Sequence, residues 1–308
     1  LQASSPAVLI TGATGFIGRR LVSSLLNQGF SVKALVRPGK TPDNRIPQAC
    51  EQMSAELTDV ETLATIVADC SAVVYCAGSV RGRVARDFSV ANILGVKAML
   101  QALEQSNTAS PLLLLSSLAA SRPALSEYAR SKHEGEQLLK DRKDLNWTIL
   151  RPPAVYGPGD QEMLPLLKMI RRGLLAHAGP ADQRLSLLHV NDLVNAVVCW
   201  LSDPQRCLHE TYSIDDGKPG GYDWRAIGEA VSHKKFRMIT VPRFMLEGAA
   251  RLNMLFSGLF GYAPMLSPGK VRELVQSEWL CNNQDFTKAT GWQPELDLRQ
   301  GARQLFGD

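Results

Sequence analysis

The chain has 308 residues, 45% of them hydrophobic and 21% charged, with 24 Gly and 17 Pro. That composition excludes a disordered chain, a collagen and a coiled coil, and the length allows about two domains of ~150 residues or one large α/β domain with an appendage. The 34 basic and 30 acidic residues are interspersed and leave a net charge of +4; no run resembles a nucleic-acid tail, and Arg171-Arg172 and Lys234-Lys235 read as solvated faces.

Leu1 to Pro6 is short and polar, without the basic and apolar regions of a secretory leader, so no leader is expected there. Beyond it, apolar runs at Ala7–Thr11, Ser31–Val36, Ala72–Cys76, Leu112–Leu115 and Trp147–Leu150 predict short buried strands. Amphipathic stretches at Phe16–Gln28, Val60–Ala68, Val84–Ser106 and Ser126–Lys140 predict helices between them. Strands that are continuously apolar and alternate with helices belong to a parallel sheet covered on both faces, a doubly wound α/β fold.

After Arg151-Pro152-Pro153 the rhythm changes. A Gly157-Pro158-Gly159 bend precedes a helix around Leu164–Arg172, a strand at Leu185–Val190, a helix at Leu193–Leu201 and a turn cluster at Asp216–Gly221, beyond which short helices are expected. This pattern predicts a dinucleotide-binding unit over residues 1–155, with sheet elements near 185–215 returning to it. A smaller, mainly helical and discontinuous substrate-binding part takes up 156–308. No uninterrupted apolar run is long enough for a spanning helix. The nearest is Phe244–Leu266, which reads either as helical core or as a hydrophobic lid or peripheral membrane contact, with Glu247 and Arg251 paired at i, i+4. The six cysteines show neither a CxxC nor metal-ligand spacing, so no metal is expected; Cys76 and Cys199 are expected buried and reduced, in the cytoplasm.

Thr11-Gly-Ala-Thr-Gly-Phe-Ile-Gly18 follows the first strand and opens the first helix. Gly12 permits a tight turn, Gly15 lets backbone approach a pyrophosphate, and Gly18 allows close helix–strand packing; with Thr14, Phe16 and Ile17 they form the expected phosphate cradle at a helix N-terminus. At the end of the second strand stands Arg37 in place of an acid. A cation there would receive the extra phosphate of NADP, whereas an acid would bind the ribose of NAD, so NADP is favoured over NAD; the alternative is a surface arginine with no ligand. Glu56 and Leu57, ahead of a crossover helix, and Cys76-Ala77-Gly78, at a strand end, are expected to wall the cofactor.

Tyr128-Ala-Arg-Ser-Lys132 places a phenol and an ammonium one turn apart on a helix face. A tyrosine pKa of about 10 must fall by roughly 3 for acid–base work near neutrality, and the lysine with a positive nicotinamide ring would favour the phenolate. Ser116-Ser117 ends the preceding strand at the carboxyl edge, where Ser117 would hydrogen-bond a substrate oxygen or, alternatively, act as a turn and cap residue. Asn92 lies inside an apolar helix and reads equally as a helix–strand bridge or a water relay.

These segments together resemble the extended short-chain dehydrogenase/reductase family, the NAD-dependent epimerase/dehydratase group. The resemblance is carried by TGATGFIG (11–18), the Asn92 segment, SS (116–117), YARSK (128–132), LRPPAVYGPGD (150–160), LLHVNDL (187–193) and GWQP (291–294), in family order. It implies a Rossmann fold and a catalytic set of Ser117, Tyr128, Lys132 and Asn92. In that set Tyr128 is the acid–base, Lys132 binds the nicotinamide ribose, and Pro152 touches the cofactor. It also implies a homodimer through Val84–Ser106 and Ser126–Lys140. Ala154 stands where many sugar-nucleotide enzymes carry an asparagine, and the segment looks more like the hydroxysteroid dehydrogenase and dihydroflavonol reductase branch. The expected function is therefore hydride transfer between NADP and an apolar secondary alcohol or ketone. Alternatives are a nucleotide-sugar epimerase or dehydratase that recycles its cofactor, and a non-catalytic NADPH-binding sensor or assembly subunit.

Overall fold

The computed structural model describes residues 7–180 and 182–307; the leader expectation for Leu1–Pro6 lies outside them. The first half alternates as its periodicity predicts. β1 (Ala7–Thr11) turns into α1 (Phe16–Asn27), and β2 (Val32–Val36), β3 (Glu51–Ser54), α2 (Val60–Val67) and β4 (Cys70–Tyr75) follow. Next come α3 (Ala85–Ser89), α4 (Gly95–Gln105), β5 (Leu112–Leu115), α5 (Glu127–Lys140) and β6 (Trp147–Arg151). β3 is absent from the sequence-based expectation because Glu51-Gln-Met-Ser54 is an edge strand with no buried residue, and so carries no apolar signature.

The single helix expected over Val84–Ser106 is interrupted: Val90–Leu94 winds as a π turn between α3 and α4. The wider turn frees carbonyls for other partners. The Tyr75 hydroxyl donates to the Ala91 oxygen at 2.7 Å, and Gly135 of α5 packs on the carbonyl of Asn92, where any β-carbon would collide.

The second half runs β7 (Ala154–Tyr156), α6 (Leu164–Arg171), β8 (Leu174–His177), β9 (Arg184–Leu185), β10 (Leu187–His189), α7 (Val190–Ser202) and β11 (Glu210–Ser213). It continues through α8 (Trp224–Val231), β12 (Arg237–Thr240), α9 (Arg243–Phe260), α10 (Pro268–Leu274), β13 (Glu278–Trp279), α11 (Gln284–Thr290) and α12 (Leu298–Phe306). The strand expected over Leu185–Val190 breaks at Ser186, whose hydroxyl donates to buried Asp215 at 2.5 Å. Its halves join different partners, β13 and β7. α9, at 18 residues, takes up most of the Phe244–Leu266 stretch and is longer than the short helices around it, but only its Ala250 and Ser257 are buried, so it is not the helical core that stretch allowed.

Seven strands form one parallel sheet in the order β11-β6-β5-β4-β1-β2-β3, with helices on both faces, a Rossmann arrangement. One core lies beneath α1 and α7 (Leu21, Leu25, Val197, Trp200) and the other beneath α2, α4 and α5 (Leu63, Met99, Leu103, Leu139). A third core, around Tyr156, Leu167, Trp224 and Leu298, holds the C-terminal elements together. Two distant motifs meet at Asp192: its carboxylate accepts from the amides of Glu295 and Leu296, both at 3.1 Å, and its carbonyl from the Trp292 indole at 3.2 Å.

Candidate active site

Because every strand of the main sheet is parallel, their carboxyl ends share one edge, where open α/β sheets take ligands. The glycine turn after β1, Arg37 after β2, Glu56 and Leu57 after β3, Cys76–Gly78 after β4, Ser117 after β5 and Pro152 after β6 all fall on that edge.

The turn fits a dinucleotide phosphate. Gly12 has φ +66°, and a β-carbon on it would stand 2.7 Å from the Ala77 amide nitrogen; one on Gly18 would collide with the Gly12 carbonyl. The Ala77 amide donates to Thr11 Oγ1 at 3.0 Å, locking the β1 and β4 ends side by side. Gly15 is the N-cap of α1 and the helix has no side-chain cap and no acid in its first turn. The amides of Phe16, Ile17 and Gly18 thus open the helix toward an anion. Thr14 is half-buried beside them.

Arg37 is exposed, with no side-chain hydrogen bond or ion pair among the described residues. Glu56 is exposed and Leu57 half-buried. Ala77 and Pro152 are buried, and the Pro152 carbonyl accepts from Leu118 N at 2.9 Å. Cys76 is half-buried, as is Cys199, not buried as expected, while Cys50, Cys70 and Cys207 are buried. Desolvation pushes the Cys76 thiol up to about 12, so it is an inert apolar wall.

Lys132 and Asn92 meet beside Gly78, with Tyr128 one turn before Lys132 on α5 and Ser117 at the end of β5. Tyr128 is half-buried in the first turn of α5, its ring 6.3 Å from Phe88, and the Ser117 side chain is near enough to its phenol to favour the ionised form. Ser117 Oγ also accepts from Ala119 N at 3.2 Å, so it caps the following turn as well. Lys132 is buried, and its ammonium donates to the Leu115 carbonyl at 3.0 Å. A β-carbon on Gly78 would sit 3.0 Å from that nitrogen and 3.3 Å from Asn92 Oδ1. Asn92 spans loop and helix: its Oδ1 accepts from Ser79 N at 3.2 Å, and its Nδ2 donates to Ser79 O at 3.1 Å and Ser131 Oγ at 2.9 Å.

The electrostatics differ from the expectation that Lys132 holds the phenol down. Burial pushes the Tyr128 hydroxyl up to about 12; the Ser117 hydrogen bond opposes this, while the carboxylates of Glu273 and Glu162 add to it. Burial lowers the Lys132 ammonium to about 8, opposed by Cys76 and Glu136. In the protein alone burial thus favours the protonated phenol at Tyr128 and weakens the charge on Lys132.

Sequence reasoning missed Glu136, one turn beyond Lys132. Its fully buried carboxylate accepts from Ser116 Oγ at 2.5 Å and from Arg151 Nε at 2.8 Å, and pairs with a second Arg151 nitrogen. The ends of β5 and β6 are thereby tied to α5. The i, i+4 spacing from Lys132 was a visible signal; the partners across the sheet were not. Glu273 of α10 was missed likewise: it bonds the hydroxyl of Ser126, the N-cap of α5, and Lys270 at 2.9 Å.

A parallel Rossmann sheet with this glycine turn, and with a tyrosine, a serine and a lysine gathered at its carboxyl edge, defines an NAD(P)-dependent enzyme of the extended short-chain dehydrogenase/reductase type. Residues 8–215 match the NAD dependent epimerase/dehydratase family, and the chain belongs to it. It is 29% identical to a ceramide reductase of Caulobacter vibrioides over 94% of this chain and 96% of that protein. A UDP-glucose 4-epimerase of Vibrio cholerae is 25% identical over 97% and 94%. Among solved structures, the UDP-glucose 4-epimerase of Thermotoga maritima with UDP-glucose superposes with a TM-score of 0.72 at 17% identity, covering 98% of this chain and 97% of that one.

Proposed function

We propose that the protein is an NADP-linked reductase that converts an apolar, long-chain ketone to a secondary alcohol, with Tyr128 as the proton donor. The observation that carries this reading is the placement of Tyr128 and Lys132 one turn apart on α5, with Lys132 pinned to β5 and Ser117 at the end of that strand, on the carboxyl edge that also bears the glycine turn; burial favours the protonated Tyr128 phenol. The Gly12–Gly18 turn would hold the pyrophosphate of a nicotinamide dinucleotide, and that cofactor would supply the hydride. Tyr128 Oη gives its proton to the substrate oxygen, and Ser117 Oγ donates a hydrogen bond to the same oxygen. Lys132 keeps a positive charge beneath the phenolate that remains, and Asn92 clamps the Ser79 loop against α5.

Preference for NADP is supported by Arg37, which stands unpartnered at the end of β2 with no acid in Val36-Arg37-Pro38-Gly39-Lys40. An apolar substrate is supported by Ala154 in the segment after Arg151, and by the full-length similarity to a protein named for ceramide reduction. Six unpaired cysteines support a reducing, cytoplasmic setting. The apolar side chains of Val90 and Leu94, exposed on the α3–α4 flank, support a homodimer through those helices.

The test is NADPH oxidation with a long-chain ketone, read together with product analysis. Net stoichiometric consumption is expected. Isomerisation of a nucleotide sugar with no net consumption would instead establish the epimerase reading, and NADPH binding without any turnover would establish the non-catalytic one.

A further inference from the structure

α9 is apolar on two opposite sides. It rests on the protein through buried Ala250 and Ser257. The reverse side carries Phe244, Leu252, Leu255 and Leu259, repeating at helical spacing, with Phe260 at the end; Phe244 is 74% exposed, Leu259 71% and Phe260 75%. A water-facing helix surface is ordinarily polar. Along one flank of this stripe, every fourth residue is charged: Arg243, Glu247 and Arg251. Glu247 pairs with Arg243 at 2.7 Å, not with Arg251 as the sequence suggests. The row is continued by Arg83, whose guanidinium lies 3.3 Å from where a β-carbon on Gly258 would stand. Arg83 and Arg251 have no side-chain partner among the described residues. At the helix end Tyr262 is exposed, with its hydroxyl on Asn253 Oδ1 at 2.6 Å.

We propose that this face is a docking surface for an anionic phospholipid bilayer, on which α9 lies in the plane of the interface, and that the membrane is the source of the apolar substrate; the substrate part of this inference rests on the function proposed above. The apolar stripe suits the acyl boundary, and the row of unmatched arginines beside it suits the phosphates above it. No helix among the described residues is long and apolar enough to cross a membrane, so the contact is one-sided. A second copy docking by this same face is the poorer occupant, because that face brings the same unmatched Arg83 and Arg251, and the one carboxylate of α9, Glu247, is already paired with Arg243. α9 is also tied to the site. Asn253 donates to the Leu266 carbonyl at 2.8 Å, which leads into α10; there Gly269 packs on Ser126 and Glu273 bonds the same serine, two residues before Tyr128.

The experiment is flotation of the full chain with vesicles of phosphatidylcholine alone and of phosphatidylcholine with phosphatidylglycerol. Binding to the anionic vesicles is expected. Arg83→Gln with Arg251→Gln should weaken it by about thirtyfold, the effect of two arginines at an anionic surface. Leu255→Asp with Leu259→Asp should abolish it while leaving circular dichroism, NADPH binding and reduction of a short soluble ketone unchanged. Absence of binding to either vesicle overturns the proposal. So does a dimer in solution that the two aspartates dissociate, since a second copy would then own the face. If no ketone is reduced yet the vesicle results hold, the docking surface stands and only the function proposed above fails.

Discussion

The ammonium of Lys132 donates to the carbonyl of Leu115 at 3.0 Å, pinning the helix that carries Tyr128 to the strand that leads into Ser117. Burial sets the pKa of this ammonium at about 8. It is charged below that value and neutral above it, and a neutral lysine no longer stabilises the phenolate left by proton donation. Ketone reduction should hold level at neutral pH and decline as pH rises through about 8. Lys132→Arg, charged throughout, should move that limb upward in a kcat profile; a limb left at 8 would refute the assignment.

Replacing Tyr128 by Phe removes the donor and leaves the ring against Phe88. Reduction should fall by about a hundred- to ten-thousandfold. NADPH affinity, followed by fluorescence, should be retained, which separates lost chemistry from lost binding.

Arg37→Ser should weaken NADPH by roughly ten- to hundredfold, the worth of a hydrogen bond to a charged group, and leave NADH unchanged. Equal losses for both cofactors would show that Arg37 does not face the distinguishing phosphate.

Glu136 is fully buried, with Arg151 and Ser116 as partners. Glu136→Ala leaves the guanidinium without its carboxylate and should cost about 3–5 kcal/mol in urea unfolding. Removing Arg151 as well should recover part of that loss, because no unmatched charge is then left inside.

His189 is buried, its Nε2 lacks a hydrogen-bond partner among the described residues, and desolvation, helped by Arg20, lowers its pKa to about 4 from 6.5. The unfolded chain takes up the proton first, so this contribution is complete above pH 6.5 and is lost as pH falls toward 4. The loss should reach about 3 kcal/mol. The difference in thermal stability between the wild type and His189→Gln should shrink over that window and stay constant above it.

The sheet was readable because buried parallel strands are continuously apolar, as at Leu112–Leu115, and because TGATGFIG marks a strand–helix junction. β3 was not readable, since a paired but exposed strand is written in ordinary polar residues. The division of Leu185–Val190 depends on Ser186 meeting Asp215, 29 residues away, and no local pattern records that. The clustering of Tyr128, Lys132 and Ser117 could be anticipated from one helix turn and one strand end. The carboxylates that act on them could not, because Glu273 and Glu162 arrive from α10 and from the loop before α6. In the protein alone the Tyr128 phenol is raised first by burial and only then by these carboxylates, and neither is written in the local sequence.

The π turn at Val90–Leu94 makes the placement of Asn92 a matter of counting. One residue more than an α-helix needs is accommodated there, and a single-residue deletion would restore regular winding while rotating everything upstream by about 100°. Asn92 would then leave Ser79 and Ser131 without any change in its own identity. In this region chain length, as much as side-chain chemistry, carries the information for the site, and a one-codon deletion would do what no point substitution can.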